Sequence, residues 1–297
     1  MNRVKNLDEP SGPKVFLVPV PIGNEKDITL RAIEVLREAD LICSEDTRTT
    51  GKLLDRLNIQ GKESVSLYSQ VEAQKAKTLI ERIKESGEIL AFCSDAGTPG
   101  ISDPGSVLVR TAIDEGIRVT ALPGACAAIT ALVISGLDTA DFSFYGFLSD
   151  KPGTRRGQLQ RLVDSEIPMI FYESPNRVIE TLKDMRDILG PKRRFALLRE
   201  LTKVHEEAIR GTLEEIEQIE PSSIRGECVI CVEGAVKKAE DSRGEVKRLY
   251  RIYRDNQISD SLASKLISEQ LGLKRNGVYK LIQALSGTTD KEEMAED

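Results

Sequence analysis

Long apolar runs are absent from this chain. No stretch approaches the ~18 consecutive apolar residues that a membrane span needs. Residues 1–13 are polar, without the apolar centre of a secretion signal. The expected location is the cytoplasm. Histidine is down to one residue, His205, so a Ser-His-Asp triad would have to include it. Three signatures are also missing: G-x-x-x-x-G-K-[ST], which cradles phosphates; G-x-G-x-x-G after the first strand, which binds a dinucleotide; and G-x-S-x-G, which exposes a nucleophilic serine. Aromatic residues make up 4%, which limits base stacking as a way of holding nucleic acid. Cysteines number five, and four of them (Cys43, Cys93, Cys228, Cys231) fall in apolar, strand-like runs, where cysteine acts as a small buried hydrophobe. Cys228-Val-Ile-Cys231 has zinc-like spacing, but no second pair accompanies it. A strand also sends positions i and i+3 to opposite faces, so no metal is expected.

What is present fits a globular enzyme: 297 residues, 40% hydrophobic and 30% charged, enough for two modest domains. The net charge of −6 does not advertise nucleic-acid binding, but it is unevenly spread. Residues 237–287 carry 11 basic and 6 acidic side chains, and the last ten residues carry 1 basic and 5 acidic. A local phosphate-contacting surface and a solvated helical face both fit the basic segment.

Apolar runs at 15–20, 41–43, 65–68, 89–93 and 119–122 read as strands. Between them, residues 28–39 (capped by Asp27), a segment to about Leu57, and residues 73–86 and 107–113 read as helices, and a further apolar helix follows at 125–134. This alternation predicts an α/β fold with a mostly parallel sheet and helices on both faces. The pattern resets at 136–141. Strands at 142–147, 169–172, 195–198, 208–211 and 228–232, with helices at 158–163, 178–189 and 213–219, predict a second α/β unit with more antiparallel character. Residues 150–156 read as a charged loop, and residues 237–245 as a polar linker. Helices at 261–271 and 276–285, joined by a short turn, suggest a helix-turn-helix-like element; a packing hairpin fits equally. The expected division is a tail at 1–13, α/β domains at 14–138 and 139–236, and a linker, helical extension and acidic tail at 237–297.

The richest segment is residues 94–105, S-D-A-G-T-P-G-I-S-D-P-G, between a strand and a helix. Its three glycines and two prolines exclude regular structure, and a loop of this kind at a strand's carboxyl end is where open α/β sheets hold ligands. Together with the other strand-end turns it suits a small polar ligand in a mostly apolar crevice. Methyl transfer from a sulfonium donor is chemistry of that kind, since alignment does most of the work.

The motifs V-P-V-P-I-G-N at 18–24, D-I-T-L-R-A at 27–32, E-D-T-R at 45–48, residues 94–105, L-P-G at 122–124, Y-G-F-L at 145–148, Y-E-S-P-N-R at 172–177 and E-L-T-K-V-H-E-E at 200–207 occur in unbroken order. In this the chain resembles the ribosomal-RNA branch of the tetrapyrrole methylase superfamily. The resemblance implies two αβα domains with S-adenosylmethionine in the cleft between them, and a homodimer. It implies methylation of a cytidine ribose 2′-hydroxyl in the decoding region of 16S rRNA, on assembled small ribosomal subunits. It places cofactor contacts at Pro21, Ile22, Ser94, Asp95, Ala96, Ile101, Gly124, Cys126, Ala127, Tyr172, Glu173, Leu201 and Thr202. Three positions depart from the family pattern: Gly100 stands for an apolar residue, Ala125-Cys126 for Pro-Ser, and Asn176 for His.

A 2′-hydroxyl is a poor nucleophile, so a proton acceptor is needed beside it. Asp46, Glu173 and Glu200 each follow a strand at the expected edge and are the candidates. Arg48, Arg177 and Lys203 are candidates for holding phosphates, and Lys151, Arg155 and Arg156 form a basic loop suited to RNA backbone. An internal pair with Glu45 or Asp46 is the other role open to Arg48. Two further readings fit the same fold: a small-molecule methyltransferase acting on a tetrapyrrole precursor, and a non-catalytic ribosome assembly factor that has lost the cofactor.

Overall fold

The computed structural model describes residues 12–235 and 242–293. The chain divides into two compact units, one holding residues up to 163 with 167–233, the other residues 164–166 with those from 234 onward.

The larger unit contains two five-stranded sheets. The first is built from β1 (Lys14–Leu17), β2 (Leu41–Ser44), β3 (Glu63–Ser66), β4 (Ile89–Cys93) and β5 (Arg118–Ala121), in the order β3-β2-β4-β1-β5, all parallel. Its inner strands β2 and β4 are almost continuously apolar because both faces are covered, whereas the edge strands β3 and β5 carry polar residues. Leu41, Cys43, Leu90 and Phe92 face α3 (Glu72–Ser86) and α4 (Ser106–Asp114), whereas Ile42, Ala91 and Cys93 face α1 (Leu30–Glu38) and α2 (Thr47–Arg56). The chain leaves β1 through α1 on one face and leaves the adjacent β4 through α4 on the other. The loops after these two strands therefore diverge and open a crevice at their carboxyl ends.

The second sheet comprises β6 (Ser143–Phe147), β7 (Met169–Glu173), β8 (Arg194–Arg199), β9 (Glu207–Thr212) and β10 (Cys228–Val232), ordered β6-β7-β10-β8-β9. Only β6 and β7 pair in parallel; β10 and β9 run antiparallel to their neighbours. One face packs on α7 (Val178–Leu189) and the turn of 3-10 helix at Leu213–Gln218. The other packs on α5 (Ala127–Ser135), which precedes this sheet in sequence yet completes its core through Ala128, Ala131 and Leu132. Cys228 and Cys231 enter the cores on opposite faces, as the strand geometry requires.

Several boundaries differ from the sequence reading. β1 ends at Leu17, because Pro19 and Pro21 lack the N–H a ladder needs; Val20 keeps one isolated bridge, to Gly97. The cap of α1 is Thr29, whose hydroxyl accepts from the Ala32 N–H at 3.0 Å, and not Asp27. Residues 150–156 are not a loop: α6 (Pro152–Gln160) starts there, with Pro152 in its first turn.

Among the described residues the smaller unit has three helices, α8 (Arg243–Asp255), α9 (Asp260–Leu271) and α10 (Arg275–Glu293). Residues 243–245, expected in a linker, open α8 instead. The side chains of Val246, Leu249, Tyr250, Ala263, Ile267, Val278, Leu281 and Ile282 form its core. No helix among the described residues is long and apolar enough to cross a membrane.

Candidate functional site

A cavity of about 400 Å³ opens at the carboxyl ends of β1 and β4 and is closed by the second sheet. Residues 95–98 and 101–103, from the glycine-proline loop, form one wall. Ile22 comes from the loop after β1, Cys126 and Ala127 from the start of α5, Tyr172 to Pro175 from the end of β7, and Gly226 to Val229 from the start of β10.

The rich loop is held at both ends. At its start, Val20 and Gly97 exchange N–H···O bonds of 3.0 Å, and the Ser94 hydroxyl donates to the Ala96 carbonyl at 3.1 Å. At its far end, the buried Glu72 carboxylate accepts from the N–H groups of Gly105, Val107 and Leu108 at 2.9, 2.9 and 3.2 Å, which satisfies the orphan donors of α4. Gly97 sits at φ +74° with room for only 3.1 Å between an added Cβ and Ile22, so backbone itself forms the wall there.

The cavity is electronegative. Asp103 lines it, and burial, followed by the charges of Glu45 and Asp95, pushes its carboxyl up to about 6. Glu45 is also raised, first by burial and then by Asp95 and Asp46. The same lining carries apolar surface from Ile22, Ile101, Phe147, Tyr172 and Val229 beside Asp95, Asp103, Glu173 and Glu227. The Tyr172 hydroxyl accepts from the Ala128 N–H at 3.2 Å, and its ring meets Phe144 and Phe147 edge-on. Such a lining fits a ligand with a flat ring at one end and a positive centre at the other.

Of the expected cofactor contacts, Ile22, Asp95, Ala96, Ile101, Cys126, Ala127, Tyr172 and Glu173 line this cavity. Pro21 and Ser94 line an adjoining one, also about 400 Å³, together with Ile22, Asp95, Lys52, Arg56 and Lys203. Gly124, Leu201 and Thr202 stand behind these walls. A Cβ at Gly124 would overlap Pro19, Leu201 belongs to the core around α5, and the Thr202 hydroxyl accepts from the Asn24 N–H at 2.9 Å. Of the departures from the family pattern, Cys126 lines the cavity and Asn176 is exposed beside it in sequence.

The three candidate bases are all engaged. Asp46 caps α2 and holds Arg48 through two N–H···O bonds of 3.0 and 2.7 Å; that hydrogen bonding pulls its carboxyl down to about 2. Buried Glu173 accepts from the Ser174 N–H at 2.8 Å, the Thr181 hydroxyl at 2.7 Å and the Arg177 guanidinium at 2.6 Å. Glu200, at φ +51°, accepts from Lys203 Nζ at 2.8 Å and the Glu227 N–H at 3.1 Å, and the lysine contact leads the causes that lower its carboxyl. Asp46 and Glu200, held this way, are weak proton acceptors. Sequence reasoning missed Asp103 because its carboxyl is raised first by burial and then by the charges of Glu45 and Asp95, and the fold brings Glu45 close from far along the chain.

The basic candidates divide similarly. Arg155 is a correction: it is buried, with Nε 2.7 Å from Asp184, and cannot meet an RNA backbone. Arg156 pairs with the same Asp184, Arg177 with Glu173, and Lys203 with Glu200 and Glu227. The Arg48 guanidinium is exposed while paired, and Lys151 is exposed without an ion pair among the described residues. His205 is exposed and lies outside the cavity lining.

Residues 14–217 match the family model for Tetrapyrrole (Corrin/Porphyrin) Methylases. Ribosomal RNA small subunit methyltransferase I of Haemophilus influenzae is 41% identical over 272 residues, 90% of this chain and 95% of that protein. The protein of the same name from Halalkalibacterium halodurans is 48% identical over 227 residues, 76% of this chain and 78% of its own. Among solved structures, the methyltransferase CobJ superposes with a TM-score of 0.58 at 20% identity, over 76% of this chain and 95% of its own. A uroporphyrin-III C-methyl transferase from Thermus thermophilus, complexed with S-adenyl homocysteine, gives 0.52 at 17%, over 74% and 97%.

Proposed function

The chain belongs to the tetrapyrrole (corrin/porphyrin) methylase family, and from that premise we propose that it methylates small-subunit ribosomal RNA with S-adenosylmethionine as the donor, at a ribose 2′-hydroxyl of a cytidine in the decoding region. The observation that carries this reading is the electronegative cavity at the carboxyl ends of β1 and β4, in a chain 41% and 48% identical to two proteins named for that RNA.

The lining fits the donor. Ile22, Ile101, Tyr172 and Val229 offer apolar surface to its adenine, and Asp95 offers negative charge to its sulfonium and ammonium groups. The donor, when bound, supplies an activated methyl group. The protein's part is to hold the acceptor ribose in line and to take its proton. Asp103 fills the second role: it lines the cavity, and a carboxyl near 6 is both ionised at neutral pH and more basic than Asp46 or Glu200, whose hydrogen bonds pull them down, while Glu173 is taken up by Ser174, Thr181 and Arg177. The adjoining cavity, with Lys52, Arg56 and Lys203, offers the acceptor nucleotide a place beside the donor. Arg48 and Lys151 supply exposed charge for neighbouring phosphates.

The protein works as a homodimer in the cytoplasm in this reading. Ile129 and Val133 on α5, Tyr145 on the edge strand β6 and Phe142 just before it leave apolar surface outward. Such surface supports a second copy as its cover.

The test is transfer of tritiated methyl from S-adenosylmethionine to small ribosomal subunits lacking the modification, with naked rRNA as control. Label mapped to one ribose 2′-oxygen is the expected result. Cofactor binding without label on either RNA would overturn the substrate; absence of cofactor binding would favour the assembly factor.

A further inference from the structure

We propose that the C-terminal helical unit is an RNA-docking module, in which α8 meets the phosphate backbone and the first two turns of α10 meet unpaired bases. The proposal rests on the rRNA reading above for its ligand and on the unit's own geometry for its surface.

Between Arg243 and Lys280 the sequence has nine cations and four acids. Two of the acids are spent on neighbours, Glu245 on Arg248 at 3.6 Å and Glu269 on Lys265 at 3.9 Å. A third, Asp260, accepts from the Tyr250 hydroxyl at 2.9 Å and from Gln283 at 3.2 Å. What remains is organised. Val246, Leu249 and Tyr250 turn inward, which puts Arg243, Lys247, Arg251 and Arg254 on the exposed side of α8. None of these four has an ion pair among the described residues. Helical spacing sets them about one turn, or ~5–6 Å, apart, close to the spacing of phosphates along a nucleic-acid strand.

The second part of the surface comes from the turn. Gly272, at φ +63°, ends α9, and three residues later α10 begins. Burial of Val278, Leu281 and Ile282 leaves Asn276, Tyr279 and Lys280 facing outward, with Arg275 steadied by Ser261 at 3.2 Å. An exposed tyrosine flanked by an amide and cations gives a stacking platform with hydrogen-bonding edges, and a base is its chemical complement. Helix-turn-helix units present their second helix in this way.

The experiment uses the full chain with two variants, the double charge reversal Lys247→Glu/Arg251→Glu and, separately, Tyr279→Ala. All three side chains are exposed, so circular dichroism and S-adenosylmethionine binding are expected unchanged. RNA affinity is measured against salt with transcribed small-subunit rRNA, and KM and kcat with small subunits. The reversal is expected to weaken RNA binding by about tenfold or more and to reduce the salt slope by about 2, one for each phosphate no longer neutralised. KM rises and kcat holds. Tyr279→Ala is expected to weaken binding several-fold without changing the slope. Affinity and KM unchanged in both variants would overturn the proposal, as would equal loss on duplex DNA, which would mark a general polyanion surface. If wild-type chain binds rRNA through these residues yet methylates no RNA, the proposed activity fails and the docking module stands.

Discussion

The carboxyl edges of the two sheets carry similar residues in opposite conditions. On the parallel sheet, Glu45 and Asp103 crowd one another and Asp95 with little counter-charge, and the carboxyls of the first two rise. On the mixed sheet, Glu173 and Glu200 are saturated by a guanidinium, an ammonium, a hydroxyl and backbone donors. The parallel edge keeps Glu45 and Asp103 reactive while Asp46 caps α2, and the mixed edge spends Glu173 and Glu200 on shape. An acid at a strand end therefore identifies chemistry only when its partners are known, because the same residue type frames the site as readily as it acts in it.

The largest effect expected from this contrast is at Asp103. Asp103→Ala should lower kcat by about 100-fold or more, in the range for loss of a general base. The wild-type rate should fall as pH drops below about 6, where the carboxyl takes up its proton. A rate near wild type, or an acid limb unmoved in Asp103→Asn, would break the assignment. The linkage has a definite sign. Its ionisation is raised from 3.8 to about 6 by folding, so the folded chain holds this proton more tightly than the unfolded chain. Stability is lost as pH climbs through that window. Asp103→Asn should therefore raise Tm by a few degrees at pH 7 while removing activity.

On the mixed sheet the expected losses are of stability. Glu173→Ala leaves Arg177 and the Thr181 hydroxyl without their buried partner and should cost about 3 kcal/mol in urea unfolding. Gly226→Ala follows at about 2 kcal/mol: the backbone sits at φ +77°, and a Cβ would overlap the Glu200 carboxylate. If either variant instead lowered kcat with unchanged stability, the two edges would share the chemistry. The smallest effect is expected at Asp46→Asn. The side chain is bound to Arg48 outside the cavity, so methyl transfer should change by about threefold at most.

Much of this architecture was legible in the residues. Helical and strand periods located most elements, and the density of glycine and proline at 94–105 marked the loop that walls the cavity. The partners of Glu173 and Glu200 were also within reach of a sequence argument, lying four and three residues downstream at Arg177 and Lys203. What escaped depended on long separations or on obscured signals. Asp103 acquires its character from burial, and then from the charge of Glu45, which the fold brings in from another strand end. α8 hid behind charge, although Val246, Leu249, Tyr250 and Tyr253 keep a helical period within it. α6 hid behind two glycines, although Pro152 is a good first residue for a helix. Arg155 looked like part of a solvated basic cluster, and only its ion pair with Asp184, 29 residues away, shows why it is inside.

The Glu72 cap sets an order of assembly. Its carboxylate reaches 33 residues along the chain to hold the N–H of Gly105, so the far end of the loop stays unfixed until α3 has docked beside β4. At 33 residues that contact is shorter than the pairing of Lys14 with Ile89 in the sheet itself, so it adds little entropic cost once the strands are aligned. The docking that covers one face of the sheet therefore also fixes one wall of the ligand cavity.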